Sequence, residues 1–65
     1  MDSHSRMMLL IALAWDKDPE HGDTHALDNF LSENADDVDE DFDVFAFRDA
    51  NADAYADYLE EYLND

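Results

Sequence analysis

The sequence predicts an α+β fold, or a small α/β fold, with the element order β-α-β-α. Two observations predict it. Two stretches, residues 7–15 and 42–47, are almost entirely apolar or aromatic, and two other segments repeat apolar residues every three or four positions. One-sided helices pack most simply against a sheet. A chain of 65 residues has room for one modest core, so we expect a single domain over residues 1–65.

The first predicted element is a strand over Met7–Trp15, after a polar and frayed start at residues 1–5. An uninterrupted apolar run of this length fits a strand buried on both faces or a fully buried helix, and periodicity does not separate the two. Leu, Ala and Met favour a helix, so a helix here and a three-helix arrangement stay open. The run is too short to span a bilayer, and we expect it in the core.

The second predicted element is an amphipathic helix. It follows a loop at residues 16–23 that contains the only Pro and the only Gly of the chain. Asp23 or Thr24 is expected to cap the helix by accepting from its free backbone N–H groups. Its apolar stripe is predicted to consist of Ala26, Leu27, Phe30, Leu31 and Ala35.

The second half of the chain begins with residues 36–43, which are mostly acidic and are expected to form a solvated connection. Phe42–Phe47 is rich in aromatic and branched residues and is predicted to be the second strand. Asn51 is expected to cap a final helix. The buried stripe of that helix is predicted to consist of Tyr55, Tyr58, Leu59, Tyr62 and Leu63.

The charge balance is the most unusual feature of the composition. Asp and Glu number 19 against 3 Lys and Arg, for a formal net charge of −16. Such crowding costs stability through self-repulsion, so it indicates an electrostatic function or a very salty environment. Direct nucleic-acid binding is excluded because phosphates need Lys and Arg partners. The absence of cysteine fits a reducing cytoplasm.

Metal and enzyme chemistry find little support in the sequence. Asp16-x-Asp18-x-Glu20 begins like a calcium-binding loop, but His21 and Leu27 occupy the positions that need Gly and a bidentate Glu. His21 and His25 are expected to be an exposed loop pair. The chain has no Gly-rich phosphate loop and no nucleophile motif. We therefore expect neither catalysis nor a cofactor nor a dedicated metal site.

The acidic residues themselves are the candidate binding site. On the final helix, acids recur at i, i+4, i+7 and i+8, which places them on one stripe. Residues four apart rise ~6 Å along a helix, close to twice the ~3.4 Å rise of phosphates along one DNA strand. The predicted partner-binding residues are Asp53, Asp57, Glu60 and Glu61 on the helix and Asp36, Asp37, Asp39, Glu40, Asp41 and Asp43 on the connection.

In size, charge and layout the chain resembles the small phage-encoded inhibitors of host defence, and among these the DNA-mimic anti-CRISPR proteins. No sequence motif defines that group, so no residue roles carry over. The resemblance implies a cytoplasmic inhibitor in a host cell that occupies the basic cleft of a CRISPR effector complex, the type I surveillance complex, and blocks target DNA. A monomer is expected, with a dimer as the alternative.

Two other functions stay open. An acid-rich, Lys-poor surface also keeps the proteins of extreme halophiles hydrated in molar salt, and the charge would then say nothing about partners. Alternatively, the chain could be a small acidic adaptor or antitoxin-like module that docks through a face formed by Tyr55, Tyr58 and Tyr62. Core packing is the other role open to these tyrosines.

Overall fold

Four helices make up the fold in the computed structural model, which describes residues 2–36 and 38–64. In chain order they are α1 Ser3–Lys17, α2 Thr24–Asn34, α3 Val44–Ala50 and α4 Ala52–Asn64. These residues contain no strand and no sheet. The β-α-β-α prediction, with its α+β or α/β sheet, is therefore wrong, and the described chain is all-helical.

The first predicted strand, Met7–Trp15, lies inside α1. Its Leu, Met and Ala residues have high helix propensity, and an unbroken apolar run carries no period that would favour a strand. The Asp2 carboxylate caps the helix by accepting from the Ser5 N–H at 2.7 Å. The helix therefore begins at Ser3, within the segment predicted to be frayed.

The second predicted strand, Phe42–Phe47, is also wrong. Phe42 belongs to the connection, and α3 begins at Val44, where the Asp43 carboxylate accepts from the Ala46 N–H at 3.0 Å. Aromatic and branched residues favour strands only where they pack on a pleated neighbour. Here the Phe42 and Phe47 rings pack on each other, with centroids 5.5 Å apart, and the cap fixes the helix.

Helix α2 matches its prediction in position and orientation. Its apolar side is buried and its polar side is exposed, while Ala35 lies just past its last residue and is half-buried. The preceding loop turns at Gly22, whose φ of +57° lies in the left-handed region that favours glycine. A β carbon on Gly22 would lie 2.1 Å from Cδ2 of Trp15, so the indole ring packs directly on this backbone.

Helix α4 forms the centre of the molecule. Tyr55 and Leu59 are fully buried, Tyr58 is half-buried and Tyr62 is exposed, so the predicted stripe is only partly in the core. The Phe30 ring of α2 packs on Tyr55, with centroids 5.1 Å apart, and on Tyr58 at 5.8 Å. These contacts join α2 and α4 through aromatic packing.

Asn51 lies between α3 and α4 and acts differently from its prediction. Its side-chain N–H donates to the Phe47 carbonyl at 2.9 Å, which satisfies the end of α3 and leaves the start of α4 without an Asn51 side-chain cap. The Asn51 carbonyl accepts from the Tyr55 N–H at 2.9 Å. The Asn51 side chain therefore stabilises the end of α3. Only the Asn51 backbone carbonyl forms a hydrogen bond with α4.

Helices α1 and α4 run in the same direction. Ser3 contacts Asp53 near the start of both helices, and Lys17 Nζ donates to the Leu63 carbonyl near their ends, at 2.9 Å. The Lys17 charge at the end of α4 is favourable for the helix dipole. Among the described residues, no helix is long and apolar enough to cross a membrane.

Candidate acidic interface

The outer face of α4 carries the predicted acidic stripe. The four carboxylates lie on the side of the helix opposite the fully buried Tyr55, and all of them are exposed. The structure therefore places Asp53, Asp57, Glu60 and Glu61 on one solvent-facing surface, which we call the α4 acidic face.

Arg6 of α1 binds two members of the α4 acidic face. Its Nη1 donates to Asp57 Oδ1 at 2.9 Å, and its Nη2 donates to Glu60 Oε2. Because these hydrogen bonds favour the charged guanidinium, Glu60 and then Asp57 raise the pKa of Arg6 above its usual value. The Ser3 hydroxyl contacts Asp53 Oδ1 at 3.4 Å. Three of the four carboxylates thus meet α1 where the two helices pack together.

Arg6 was not predicted to be part of this surface. A strand over residues 7–15 gives no reason for Arg6 to lie near the last helix. Once α1 is a helix parallel to α4, its first turns lie beside residues 53–60 of α4. Arg6 is the cation nearest the start of α1. Its role in this surface could be predicted only by knowing how α1 packs against α4.

The second predicted acidic group lies on the connection between α2 and α3. Asp39 Oδ1 accepts from the Asp41 N–H at 3.1 Å, and Asp43 caps α3, so these two carboxylates also hold the local backbone. Asp37 lies outside the described residues. The described acids of the connection are all exposed, namely Asp36, Asp39, Glu40, Asp41 and Asp43.

Glu60 and the acidic connection lie on different sides of α4. Arg6 marks the side that carries Glu60, whereas Tyr58 faces Phe30. Tyr58 and Glu60 are two residues apart, which is about 200° around a helix. The connection reaches the core through Phe42, on the Phe47 and Phe30 side. The connection therefore lies on the other side of α4 from Glu60, whereas Glu61, three residues after Tyr58, lies about 60° from Tyr58 around the helix.

Charge is segregated along the chain as well. Residues 2–17 contain two acids, Asp2 and Asp16, and two permanent cations, Arg6 and Lys17, so α1 and its cap sum to zero. The whole formal charge of −16 consequently belongs to residues 18–65. The α1 surface is electrically distinct from the rest of the molecule.

Asp23 is buried, unlike the exposed acids of α4 and of the connection. It occupies the N-cap position of α2, but its side chain makes no cap hydrogen bond. Its Oδ2 accepts from the Tyr55 hydroxyl at 2.7 Å, and the carboxylate is buried. Burial, followed by the hydrogen bond to Asp23, raises the pKa of Tyr55 far above its ordinary value. Tyr55 is thus a protonated donor that satisfies a buried carboxylate.

The calcium-like segment and the histidine pair form local contacts. Asp18 Oδ1 accepts from the Glu20 and His21 backbone N–H groups at 3.2 and 3.3 Å, which closes the turn. The His21 and His25 rings lie 4.8 Å apart. Across residues 2–36 and 38–64, no group of three or more acidic or histidine side chains is arranged to hold a metal ion.

Comparison with known proteins adds no relative. The chain matches no protein-family model, no curated protein and no solved structure.

Proposed function

We propose that this protein is a DNA-mimic inhibitor that acts in the cytoplasm of a host cell. It occupies the basic nucleic-acid-binding cleft of a host defence complex and blocks the binding of target DNA. The proposed target is the type I CRISPR surveillance complex, because the chain resembles the DNA-mimic anti-CRISPR proteins in size, charge and layout. The observation that carries the proposal is the guanidinium of Arg6 bound between Asp57 and Glu60 of the α4 acidic face.

Phosphate-binding clefts use Arg and Lys side chains, and a guanidinium pairs with a carboxylate as it pairs with a phosphate. Arg6 makes that type of contact within the molecule, with one nitrogen on each of two carboxylates. Both carboxylates stay largely accessible, since the Asp57 side chain is 71% exposed and the Glu60 side chain is 55% exposed. A partner's Arg or Lys can therefore reach their remaining oxygens.

The backbone that carries this face is held firmly. Tyr55 and Leu59, on the opposite side of α4, have no exposed surface. A helix fixed by its core presents its carboxylates at set intervals, ~6 Å for residues four apart. Binding then loses less conformational entropy than a disordered acidic tail would lose. A fixed spacing is what distinguishes a mimic from a merely acidic segment.

Long-range attraction follows from the net charge of −16. A basic cleft and a strongly acidic protein attract each other at long range at low salt, where the Debye length is large, and this speeds association. The same attraction weakens as the ionic strength rises. A mimic should therefore share the salt dependence of the nucleic acid that it replaces.

The adaptor alternative loses part of its surface in this fold. Tyr55 is fully buried and Tyr58 is half-buried against Phe30, so only Tyr62 of that face is exposed. The tyrosines therefore serve chiefly in the core. The halophile alternative makes a different prediction, namely that the chain folds only in concentrated salt.

The direct test uses a purified type I surveillance complex and labelled target DNA. We expect the protein to compete with DNA for the complex, and we expect its apparent affinity to fall at least ~10-fold as salt rises from about 50 to about 200 mM. If neither DNA nor salt affects binding, the protein does not mimic DNA in this cleft.

A pair of fourfold variants tests the surface itself. In the first, Asp53, Asp57, Glu60 and Glu61 are changed to the matching amides. In the control, the exposed acids Asp16, Glu20, Asp28 and Glu33 are changed in the same way, so that the net charge changes equally. We expect the first variant to lose inhibition and the second to retain most of it, with helical circular dichroism kept in both. Equal losses would assign binding to net charge alone.

A further inference from the structure

Helix α1 is apolar on its outer side as well as on its core side. Met7, Ile11 and Ala14 are buried, yet the same helix exposes large apolar side chains to solvent. A helix that is apolar all round is normally covered on both sides. The exposed side chains are Met8 at 44%, Leu9 at 50%, Leu13 at 48% and Trp15 at 43%, with Ala12 exposed among them. We call this set the α1 apolar face.

The charge distribution indicates what covers this face. Helix α1 and its cap are neutral, whereas residues 18–65 carry the whole charge of −16. Two copies that meet through any other surface bring carboxylates against carboxylates, which costs free energy. Two copies that meet through α1 bring together helices of zero net charge, on which Asp16 is the one acid beside the exposed apolar side chains, and they keep the acids of residues 18–65 away from the contact.

We propose that the α1 apolar face is a self-association surface, and that its occupant is the α1 helix of a second copy of this chain. A two-fold dimer uses the same patch on both copies. In an antiparallel pair the start of one α1 lies beside the end of the other, which is favourable for the two helix dipoles. This inference does not depend on the DNA-mimic proposal.

The side chains of the face suit close helix packing. Ala12 lies between Met8 and Leu9 on one turn and Leu13 and Trp15 on the next, by its position in the helix. A small residue at the crossing point lets two helix axes approach to ~8 Å, the lower end of the usual range. The larger side chains can then pack on either side of the contact.

The size of the surface predicts a weak and reversible dimer. A helix of 15 residues is ~22 Å long, and one face of it is smaller than the ~800 Å² per partner of a standard stable interface. Repulsion between two strongly acidic molecules also opposes assembly, and salt screens that repulsion. Dimerisation should therefore strengthen as salt rises, in contrast to the proposed binding to a basic cleft.

The test is sedimentation of the intact protein from ~10 µM to ~1 mM, at about 0.1 M and about 1 M NaCl. We expect a concentration-dependent dimer that is favoured at the higher salt. Trp15 is the only tryptophan, so its emission should shift to the blue over the same concentration range. A monomer at every concentration and both salts overturns the proposal and leaves a different kind of partner for this face.

Charged variants locate the interface. Leu9→Glu and Leu13→Glu place a carboxylate in the proposed contact, where we expect the dimer dissociation constant to rise at least ~10-fold. Val38→Glu is the matched control, because Val38 is 53% exposed and lies on the acidic connection. We expect it to leave the dissociation constant within ~3-fold of the original. If the control weakens the dimer as much as the α1 variants do, the α1 face is not the contact.

Discussion

The Tyr55 hydroxyl donates a 2.7 Å hydrogen bond to Asp23 Oδ2, which joins the middle of α4 to the start of α2. Tyr55 is fully buried and Asp23 is 6% exposed. Burying a carboxylate without a donor is costly. The contact therefore allows one acid of this very acidic chain to lie inside the fold.

Removing the Tyr55 hydroxyl should destabilise the protein. Tyr55→Phe keeps the ring in place and leaves the Asp23 carboxylate without this donor, so we expect a loss of about 1–3 kcal/mol in the free energy of unfolding. Urea denaturation at neutral pH measures it. Tyr62→Phe is the matched control, because Tyr62 is 37% exposed, and it should cost no more than ~0.5 kcal/mol. Equal losses in the two variants would contradict a special role for the Asp23 contact.

The hydrogen bond between Tyr55 and Asp23 predicts that the stability of the fold depends on alkaline pH. Burial and the Asp23 hydrogen bond raise the pKa of Tyr55 in the folded state above its ordinary value of 10.0. The unfolded chain therefore loses this proton first. The corresponding stability is complete below about pH 10 and is lost as pH rises further. We expect the difference in stability between the original protein and Tyr55→Phe to stay constant from about pH 8 to about pH 9.5 and to shrink as the pH rises past about 10 to about 11. A constant difference would mean that the hydroxyl has no raised pKa.

Arg6 should have opposite effects on folding and on binding. Arg6→Gln removes the guanidinium from Asp57 and Glu60, so we expect a lower melting temperature at low salt and a smaller decrease at high salt. The freed carboxylates make the α4 acidic face more negative, so affinity for a basic cleft should rise. Arg48→Gln, with the same change in net charge, is the control because Arg48 pairs with Asp49. An equal gain in affinity in both variants would mean that only the total charge matters.

The sequence was informative where residues showed a clear period. Ala26, Leu27, Phe30 and Leu31 recur at helical spacing, and all four are buried on α2. The run from Met7 to Trp15 gave the wrong element because residues on both sides of α1 are apolar. A strand buried on both faces has the same pattern as a helix with one buried and one exposed apolar side.

The candidate surface was predictable only in part. Spacing along α4 placed Asp53, Asp57 and Glu60 on one face of the helix. The contact of Asp57 and Glu60 with Arg6 depends on α1 and α4 packing in parallel, which no local pattern encodes. The bond between Asp23 and Tyr55 joins residues 32 positions apart in the chain. A capping pattern is local, so it could not predict this hydrogen bond either.

Gly22 should tolerate no side chain while Trp15 is present. A β carbon at Gly22 would lie 2.1 Å from the indole ring, and the φ of +57° is unfavourable for alanine. We expect Gly22→Ala to cost about 2–5 kcal/mol, which combines ~1–2 for the left-handed backbone with ~1–3 for the displaced ring. Urea denaturation measures the loss.

A double-mutant cycle separates the two causes of that loss. In a Trp15→Ala background the ring is absent, so Gly22→Ala should cost only the ~1–2 kcal/mol that belongs to the backbone. The difference between the two backgrounds is the cost of the steric contact. Equal costs in both backgrounds would show that the ring does not lie on Gly22 in solution.

Folding at ordinary salt distinguishes the mimic from a halophilic protein. The core contains the fully buried side chains of Met7, Tyr55 and Leu59, whose removal from water favours folding. The charge of −16 opposes folding by self-repulsion, and that repulsion is screened over ~10 Å at 0.1 M salt and ~3 Å at 1 M. We expect full helical circular dichroism at about 0.1 M NaCl and a modestly higher urea midpoint at about 1 M. A helical signal that appears only in molar salt would favour halophilic adaptation, because a mimic has to be folded where a basic cleft still attracts it.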